Sequence, residues 1–423
     1  MLFATGPLLG QGDGMQIAVF HPGTQHSRQV ALALDQLGRL AFLATGLFTA
    51  GPARNLPLPA ALCSAIERER ARFAFPPLER ARVRTFALTE LPERLAARAG
   101  QHDLARWLDT RGNALMGRRI AGIAAREGPL GLWGFDGSSF AAFADPRTSG
   151  MPRILDRTIA HGEHWNAELA LLRESHGDWL DPSVRPWSEP RLARDQSEYA
   201  HATHILCGSR FAARTLHRHA AVQGLADKLH VLPYPFDKAL FGGAGEPQAA
   251  SAREPVRFLF VGEVGVRKGM HLLLDAIARL PSSDAALTVA GPQAVPDSVL
   301  APFAGRVRFT GPMPRASIPA LMRAHHVLVL PSLFEGSAIV LPEAMASGLA
   351  LIHTEASGEG ASGESGIVLP RPDAAALAEA MARLCAGRDL LQSMRVAAWR
   401  ESAGRSFAVY RDRIGALLPR LGL

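Results

Sequence analysis

Two stretches of this chain carry residue types in an order that suits binding an anion beside a polyhydroxyl group. The first, Phe258-Leu259-Phe260-Val261-Gly262-Glu263-Val264-Gly265-Val266-Arg267-Lys268-Gly269, runs from an apolar, strand-like segment through a turn toward a helix. Gly262 and Gly265 let the backbone approach an anion without interference from Cβ, and a helix start offers unpaired N–H groups. Lys268 can neutralise charge growing on a departing diphosphate, with Arg267 as a second cation beside it. The second stretch, Pro331 to Gly348, again reads strand, loop, helix and carries Glu335 and Glu343. A carboxylate in a helix's first turn is stabilised there and can accept both hydroxyl hydrogens of a ribose, which suits Glu343. Glu335, in the loop before that helix, can accept hydrogen bonds from the hydroxyls of a transferred sugar, with the N–H groups of Gly336 to Ala338 turned toward phosphate or sugar. Each motif alone also fits an ordinary α/β turn, with Lys268 and Glu335 as solvated charges and Glu343 as a dipole-favoured first-turn residue.

The elements that must position these residues follow from the alternation of apolar runs with helical periodicity. The first half shows runs at Met15 to Phe20, Leu130 to Trp133, Arg153 to Ala160, His204 to Cys207 and Lys228 to Pro233. That spacing predicts parallel strands separated by helices. Residues 55–128 are rich in Arg and Leu with helical periodicity and read as a helical insertion or layer. Small and polar residues from 242 to 253 mark an interdomain linker. After it strands are expected at Val256 to Val261, Ala286 to Ala290, Val307 to Thr310 and Val327 to Leu330, with helices at Met270 to Leu280 and Ile318 to Ala324. A helical segment from Leu377 to Leu418 closes the chain and is long enough to return toward the first domain. The fold class is therefore α/β, with two Rossmann-like doubly wound domains. The domains run from 15 to 241 and from 254 to 400, with a returning helix from 401 to 423 and an extension, residues 1–14, that reads either as disordered or as a misplaced start.

Composition narrows the function classes. At 423 residues and 48% hydrophobic content the chain can bury more than one core. Its most apolar stretch, Val30 to Ala50, is interrupted by Asp35, Gln36 and Arg39, which argues against a membrane span. Cys63, Cys207 and Cys385 are odd in number and far apart, a pattern without a disulfide framework or zinc spacing that fits a reducing cytoplasm. The net charge of +7 is carried almost wholly by scattered Arg, since only Lys228, Lys238 and Lys268 are lysines, and no aromatic-interleaved nucleic-acid module accompanies it. His21 and His26 have no carboxylate or third histidine at ligand spacing, so no metal is expected.

With the second half's motifs in this order, Val261-Gly262, Arg267-Lys268-Gly269, Val289-Ala290-Gly291, Phe309-Thr310-Gly311, Pro331-Ser332, and Glu335 to Glu343 followed by Ala344-Met345-Ala346-Ser347-Gly348, the chain resembles the retaining glycosyltransferases of family 4, whose fold is called GT-B. The resemblance extends over most of residues 15–400. Ala193 to Phe211 and Val231-Leu232-Pro233-Tyr234-Pro235-Phe236-Asp237 match more loosely, with Phe236 where the family has glycine. The resemblance implies that Gly262, Arg267, Lys268, Ser337, Ala338, Ile339 and Glu343 bind a nucleotide-diphospho-sugar, Lys268 at the diphosphate and Glu343 at the ribose. It places Glu335 near the donor sugar and His161 across the cleft from it, as the catalytic pair. It sets Gly23 and Thr24, in the loop His21 to Ser27, at the acceptor side. The implied activity is that of a hexosyl-type transferase passing the sugar to a hydroxyl of a glycan or lipid-linked glycan, in surface polysaccharide or lipopolysaccharide synthesis, without cofactor or metal. The expected location is the cytoplasm, with peripheral contact at the inner membrane face left open.

Three departures from the family pattern stand out: Glu263 where a phosphate-binding Arg is frequent, Ala338 for Gly and Ala350 for Pro. A carboxylate beside a diphosphate repels it unless Arg267 pairs with it or it turns outward. The alternative readings are a GT-B homologue with a degenerate donor site that serves as a binding or scaffold protein, and a nucleotide-sugar epimerase.

Overall fold

A computed structural model of the chain describes residues 14–23, 26–46, 78, 82–86, 96, 100–181, 184–249, 251 and 253–423. The expectations for the extension, for Cys63, for Thr24 and for most of the segment from 55 to 99 lie outside the described residues.

The first domain is built on β1 (Ile17–Phe20), α1 (Ser27–Gln36), β2 (Leu40–Thr45), β3 (Val83–Thr85), α2 (His102–Glu127), β4 (Gly131–Phe135), β5 (Arg153–Arg157), α3 (Gly162–Ser175), α4 (Glu189–His201), β6 (His204–Cys207), α5 (Arg210–His219) and β7 (Leu229–Val231). Its sheet has the order β3-β2-β1-β4-β5-β6-β7, with every pair parallel. The second domain has β8 (Val256–Val261), α6 (Met270–Ala278), β9 (Ala285–Ala290), β10 (Val307–Gly311), α7 (Ile318–Arg323), β11 (Val327–Leu330), α8 (Val340–Ala346), β12 (Ala350–Thr354), β13 (Gly366–Leu369), α9 (Ala374–Ala386), α10 (Arg388–Glu401) and α11 (Phe407–Leu417). Its sheet order is β10-β9-β8-β11-β12-β13, again parallel.

Strands covered by helices on both faces should read as unbroken apolar runs, and they do: β1 is Ile-Ala-Val-Phe and β11 is Val-Leu-Val-Leu, buried throughout. In α1 the residues Val30, Ala31, Ala33 and Leu34 form a buried stripe at helical spacing. Both sheets reverse order beside their first strand, between β1 and β4 and between β8 and β11. The C-terminal ends of strands at such a switch point frame a crevice where ligands bind.

The structure adds to the sequence reading and shifts some of it. The apolar stretch after Val30 divides into α1 and β2, and β12 and β13 complete the second sheet. In the segment read as a helical layer, α2 begins at His102, and Val83–Thr85 forms the sheet's edge strand. The closing helical segment is broken at Gly387 and again near Ser402.

The chain leaves the first core at Leu232 and enters the second at Phe236, ahead of the small and polar segment read as the linker. That segment instead lies along α10, where Trp399 Nε1 donates to the carbonyl of Ala244 at 3.0 Å and Gln392 Nε2 to that of Pro247 at 2.6 Å. Its composition reflects a loop pinned by side chains rather than the crossing itself. The chain returns at Ser406, which bridges Phe236, and α11 packs on α1, burying Tyr410, Ile414 and Leu418 in the first domain's core.

Candidate active site

The loop after β8 owes its path to glycine. Gly262 has φ 150° and Gly269 has φ 72°, and a Cβ on Gly269 would stand 2.0 Å from the carbonyl oxygen of Pro331. Only glycine permits that approach, which lays the turn Val266–Lys268 against the end of β11. There Lys268 Nζ and Arg267 Nη1 converge on one oxygen, Glu335 Oε1, at 2.6 and 2.9 Å. Arg267 Nη1 also donates to the Phe334 carbonyl at 3.1 Å. Two cations on one carboxylate leave a net positive charge in a largely buried setting, where it is screened less than at the surface. Glu263 is half exposed and 4.0 Å from Arg267 Nη2, so Arg267 is committed to Glu335 instead.

The loop from Pro331 to Ile339 is braced from behind by the turn after β12. Thr354 Oγ1 donates to the Ser332 carbonyl at 2.5 Å and Ser357 Oγ to the Leu330 carbonyl at 2.6 Å. The Ala338 N–H donates to the Ser357 carbonyl at 3.0 Å, so this amide, expected to face phosphate or sugar, is spent inside the fold. Among the described residues no acceptor takes the N–H of Gly336 or of Ser337. Ile339 is the residue just before α8. Glu343, in the first turn of α8, is buried, and Arg315 from the turn after β10 donates to its Oε1. Burial pushes its carboxyl upward, against the lowering effect of Arg315. Arg315 was missed from sequence because an Arg after a Pro on the surface carries no spacing cue.

These two loops also make the contact between domains. A Cβ on Gly336 would stand 1.8 Å from the Thr158 carbonyl oxygen, and the Ala160 N–H donates to the Glu335 carbonyl at 3.3 Å. Ser209 Oγ, which caps α5, donates to the Gly336 carbonyl. Phe334 is 1% exposed, with its ring among those of His164, Trp165 and Trp187 from the first domain.

His161 lies one residue from this contact but faces elsewhere. It caps α3, its Nδ1 accepting the Glu163 N–H at 3.2 Å, and its Nε2 meets Gln196 Nε2 at 3.4 Å. Burial, assisted by the charges of Arg157, His219 and His164, lowers its pKa from 6.5 to about 4. The structure thus brings Lys268, Arg267, Glu335 and the Gly336–Ser337 amides together, sets Glu343 deeper in the same domain, and engages both His161 nitrogens within the first domain.

Gly23 borders a separate cavity of about 700 Å³ at the ends of β1 and β4, the first domain's switch point. The Gly23 N–H donates to His21 Nδ1 at 3.0 Å. The loop after β4 is fixed by Glu198, a buried carboxylate that accepts the N–H groups of Gly137, Ser139 and Phe140 at 2.9 to 3.0 Å. Burial raises its pKa to about 7 against those hydrogen bonds. Asp136, on the cavity wall, accepts from the Thr158 N–H and hydroxyl and faces Arg157 at 3.4 Å. Sequence reading missed Asp136, although a polar residue directly after a buried strand at a switch point is a usable cue.

Residues 255–387, covering most of the second domain, match the family described as Glycosyl transferases group 1. The chain is 26% identical over 282 residues to the D-inositol 3-phosphate glycosyltransferase of Corynebacterium glutamicum, a match spanning 59% of this chain and 66% of that protein. The sucrose-phosphate synthase of Thermosynechococcus elongatus superposes with a TM-score of 0.67 at 18% identity, covering 96% of this chain and 99% of that one. HepE of Anabaena, solved with UDP, superposes with a TM-score of 0.60 at 15% identity, covering 96% and 100%.

The second domain matches that of group 1 glycosyltransferases. The fold of the chain is GT-B. The family match falls on the domain that carries Lys268, Glu335 and Glu343, and the cavity at Gly23 lies in the domain it does not reach.

Proposed function

We propose that this protein is a glycosyltransferase that binds a nucleotide-diphospho-sugar on its second domain and passes the sugar to a hydroxyl of a glycan or glycolipid with retention of anomeric configuration. The observation that carries this reading is the pairing of Arg267 and Lys268 on one oxygen of Glu335 beside the open amides of Gly336 and Ser337. The cations and amides suit a diphosphate, Glu343 suits the ribose, and the remaining Glu335 oxygen suits a sugar hydroxyl. In the transfer, the bond from the anomeric carbon to the diphosphate breaks and a bond to the acceptor oxygen forms on the same face. The acceptor proton passes to the departing phosphate oxygen. No protein base is needed, and the chain's part is to orient both substrates and stabilise the leaving charge. The setting that fits is surface polysaccharide synthesis at the cytoplasmic side of a membrane, without a cofactor or added metal.

The test is calorimetric titration of the full chain with UDP, GDP, ADP and dTDP, without added metal, beside Glu343→Ala and Lys268→Ala. One nucleotide is expected to bind, and each substitution to weaken it by about tenfold or more, the loss of one charge-assisted contact. Absence of binding by every nucleotide would favour a donor site that has lost its function.

A further inference from the structure

The cavity at the ends of β1 and β4 carries donors and an acceptor that the fold leaves unsatisfied. Its acids are largely engaged: Asp195 pairs with the buried Arg157 at 2.9 Å, Asp136 is held by Thr158 and Arg157, and Asp109 accepts from Asn113 Nδ2 at 3.1 Å. Of its cations Arg106 pairs with Asp103, but among the described residues neither Arg191 nor Arg194 has a carboxylate partner. The Arg191 guanidinium carbon stands over the Trp187 ring, 3.3 Å from its centroid. Arg194 Nε is buried without a hydrogen-bond partner, and so is Asn113 Oδ1. His21 adds a donor. Its Nδ1 accepts the Gly23 N–H, which puts the ring proton on Nε2, and burial keeps the ring neutral.

Two guanidinium groups on one wall present planar donor forks that match an oxyanion, and a lone amide oxygen matches a hydroxyl. The contact with Trp187 restrains the Arg191 guanidinium, so less side-chain freedom remains to be lost on binding. We propose that this cavity takes the acceptor by an anionic group, a phosphate or a carboxylate on a polyhydroxyl compound, held by Arg191 and Arg194, with Asn113 Oδ1 and His21 Nε2 meeting its hydroxyls. This rests on the transferase reading for the term acceptor, while the binding itself stands apart from the donor site.

The experiment titrates the full chain with glucose phosphate, glucuronate and glucose, and separately with UDP, for the native protein, Arg191→Ala, Arg194→Ala and Arg194→Lys. The anionic sugars should bind more tightly than glucose, and each alanine substitution should weaken them about tenfold while the UDP titration is unchanged. Arg194→Lys, which keeps the charge and loses the fork, should fall between native and alanine and guards against a misfolded variant. Pelleting with phosphatidylinositol vesicles against phosphatidylcholine vesicles separates the sources. Capture that depends on Arg191 together with no soluble sugar bound identifies a lipid headgroup and supports the proposal. Glucose binding as tightly as its phosphate, or anionic binding indifferent to both arginines, overturns it. Neither anionic sugar nor anionic vesicle bound by protein that binds UDP overturns it too, and leaves the donor reading intact. Sugar phosphate bound through Arg191 without any nucleotide bound defeats the donor reading and keeps this site.

Discussion

At the scale of single residues, His161 separates a structural role from a chemical one. Its ring is buried and neutral, with a pKa of about 4 in the fold against an ordinary 6.5. A base whose pKa is lowered on folding contributes stability in full above 6.5, and that contribution is lost as pH falls through about 4. Asparagine caps helices as well as any residue and does not titrate, whereas alanine forfeits about 1 kcal/mol of capping. His161→Asn should therefore match the native melting temperature at neutral pH and lose less of it on acidification over that window, as followed by thermal denaturation. Parallel curves would show that the ring's ionisation is not what acid attacks. Loss of transfer in a variant of intact stability would give the ring a part in the reaction. The sequence made His161 conspicuous by position after a strand, but capping depends on a φ of −67° and ψ of 137° that no motif states. The places of Lys268 and Glu335 in strand-to-helix loops and of Glu343 in a helix's first turn were legible because glycine spacing and helix starts fix where such side chains go. Arg315, Arg191 and Arg194 were not, because their partners lie in other loops or are absent from the fold.

At the scale of elements, the loop between β11 and α8 serves both the proposed donor site and the domain contact. Gly336 touches Thr158 so closely that a methyl group has no room. Gly336→Ala should cost about 1–3 kcal/mol of overpacking unless the domains part. The expected outcome is parting, visible as a larger radius of gyration in small-angle scattering, with the second domain's nucleotide affinity kept. An unchanged radius would mean that the loop yields instead. The strands around this loop were readable where apolar runs are flanked by turns, as at Val327–Leu330, which matches residue for residue. β12 was hidden because its Ala350–Thr354 run contains His353, whose imidazole is buried and bonded to the Thr354 carbonyl and the Ala361 N–H. The interdomain crossing was misplaced because composition marks loops, and a crossing made of Leu232, Tyr234 and Phe236 is apolar and buried.

At the scale of the whole molecule, Phe334 is a core residue of the domain to which it does not belong. Truncating a buried Phe costs about 3–5 kcal/mol, and here the loss falls on the contact between domains. Phe334→Ala should turn a single calorimetric transition into two, or broaden it toward two, while far-ultraviolet circular dichroism stays native. One sharp transition at lower temperature would mean that the domains remain coupled by other means, such as the ion pair of Arg214 with Glu355. The Phe236 N–H donates to the Arg405 carbonyl at 3.2 Å, and Phe236 bridges Ser406, so the outgoing and returning chains cross side by side. A single tether would let one half swing and twist freely about the other. Two tethers bonded to each other act as the leaves of a door hinge, which limits twist and leaves one axis of swing, so any parting of the halves would bring the loops at Gly336 and Thr158 back to the same register.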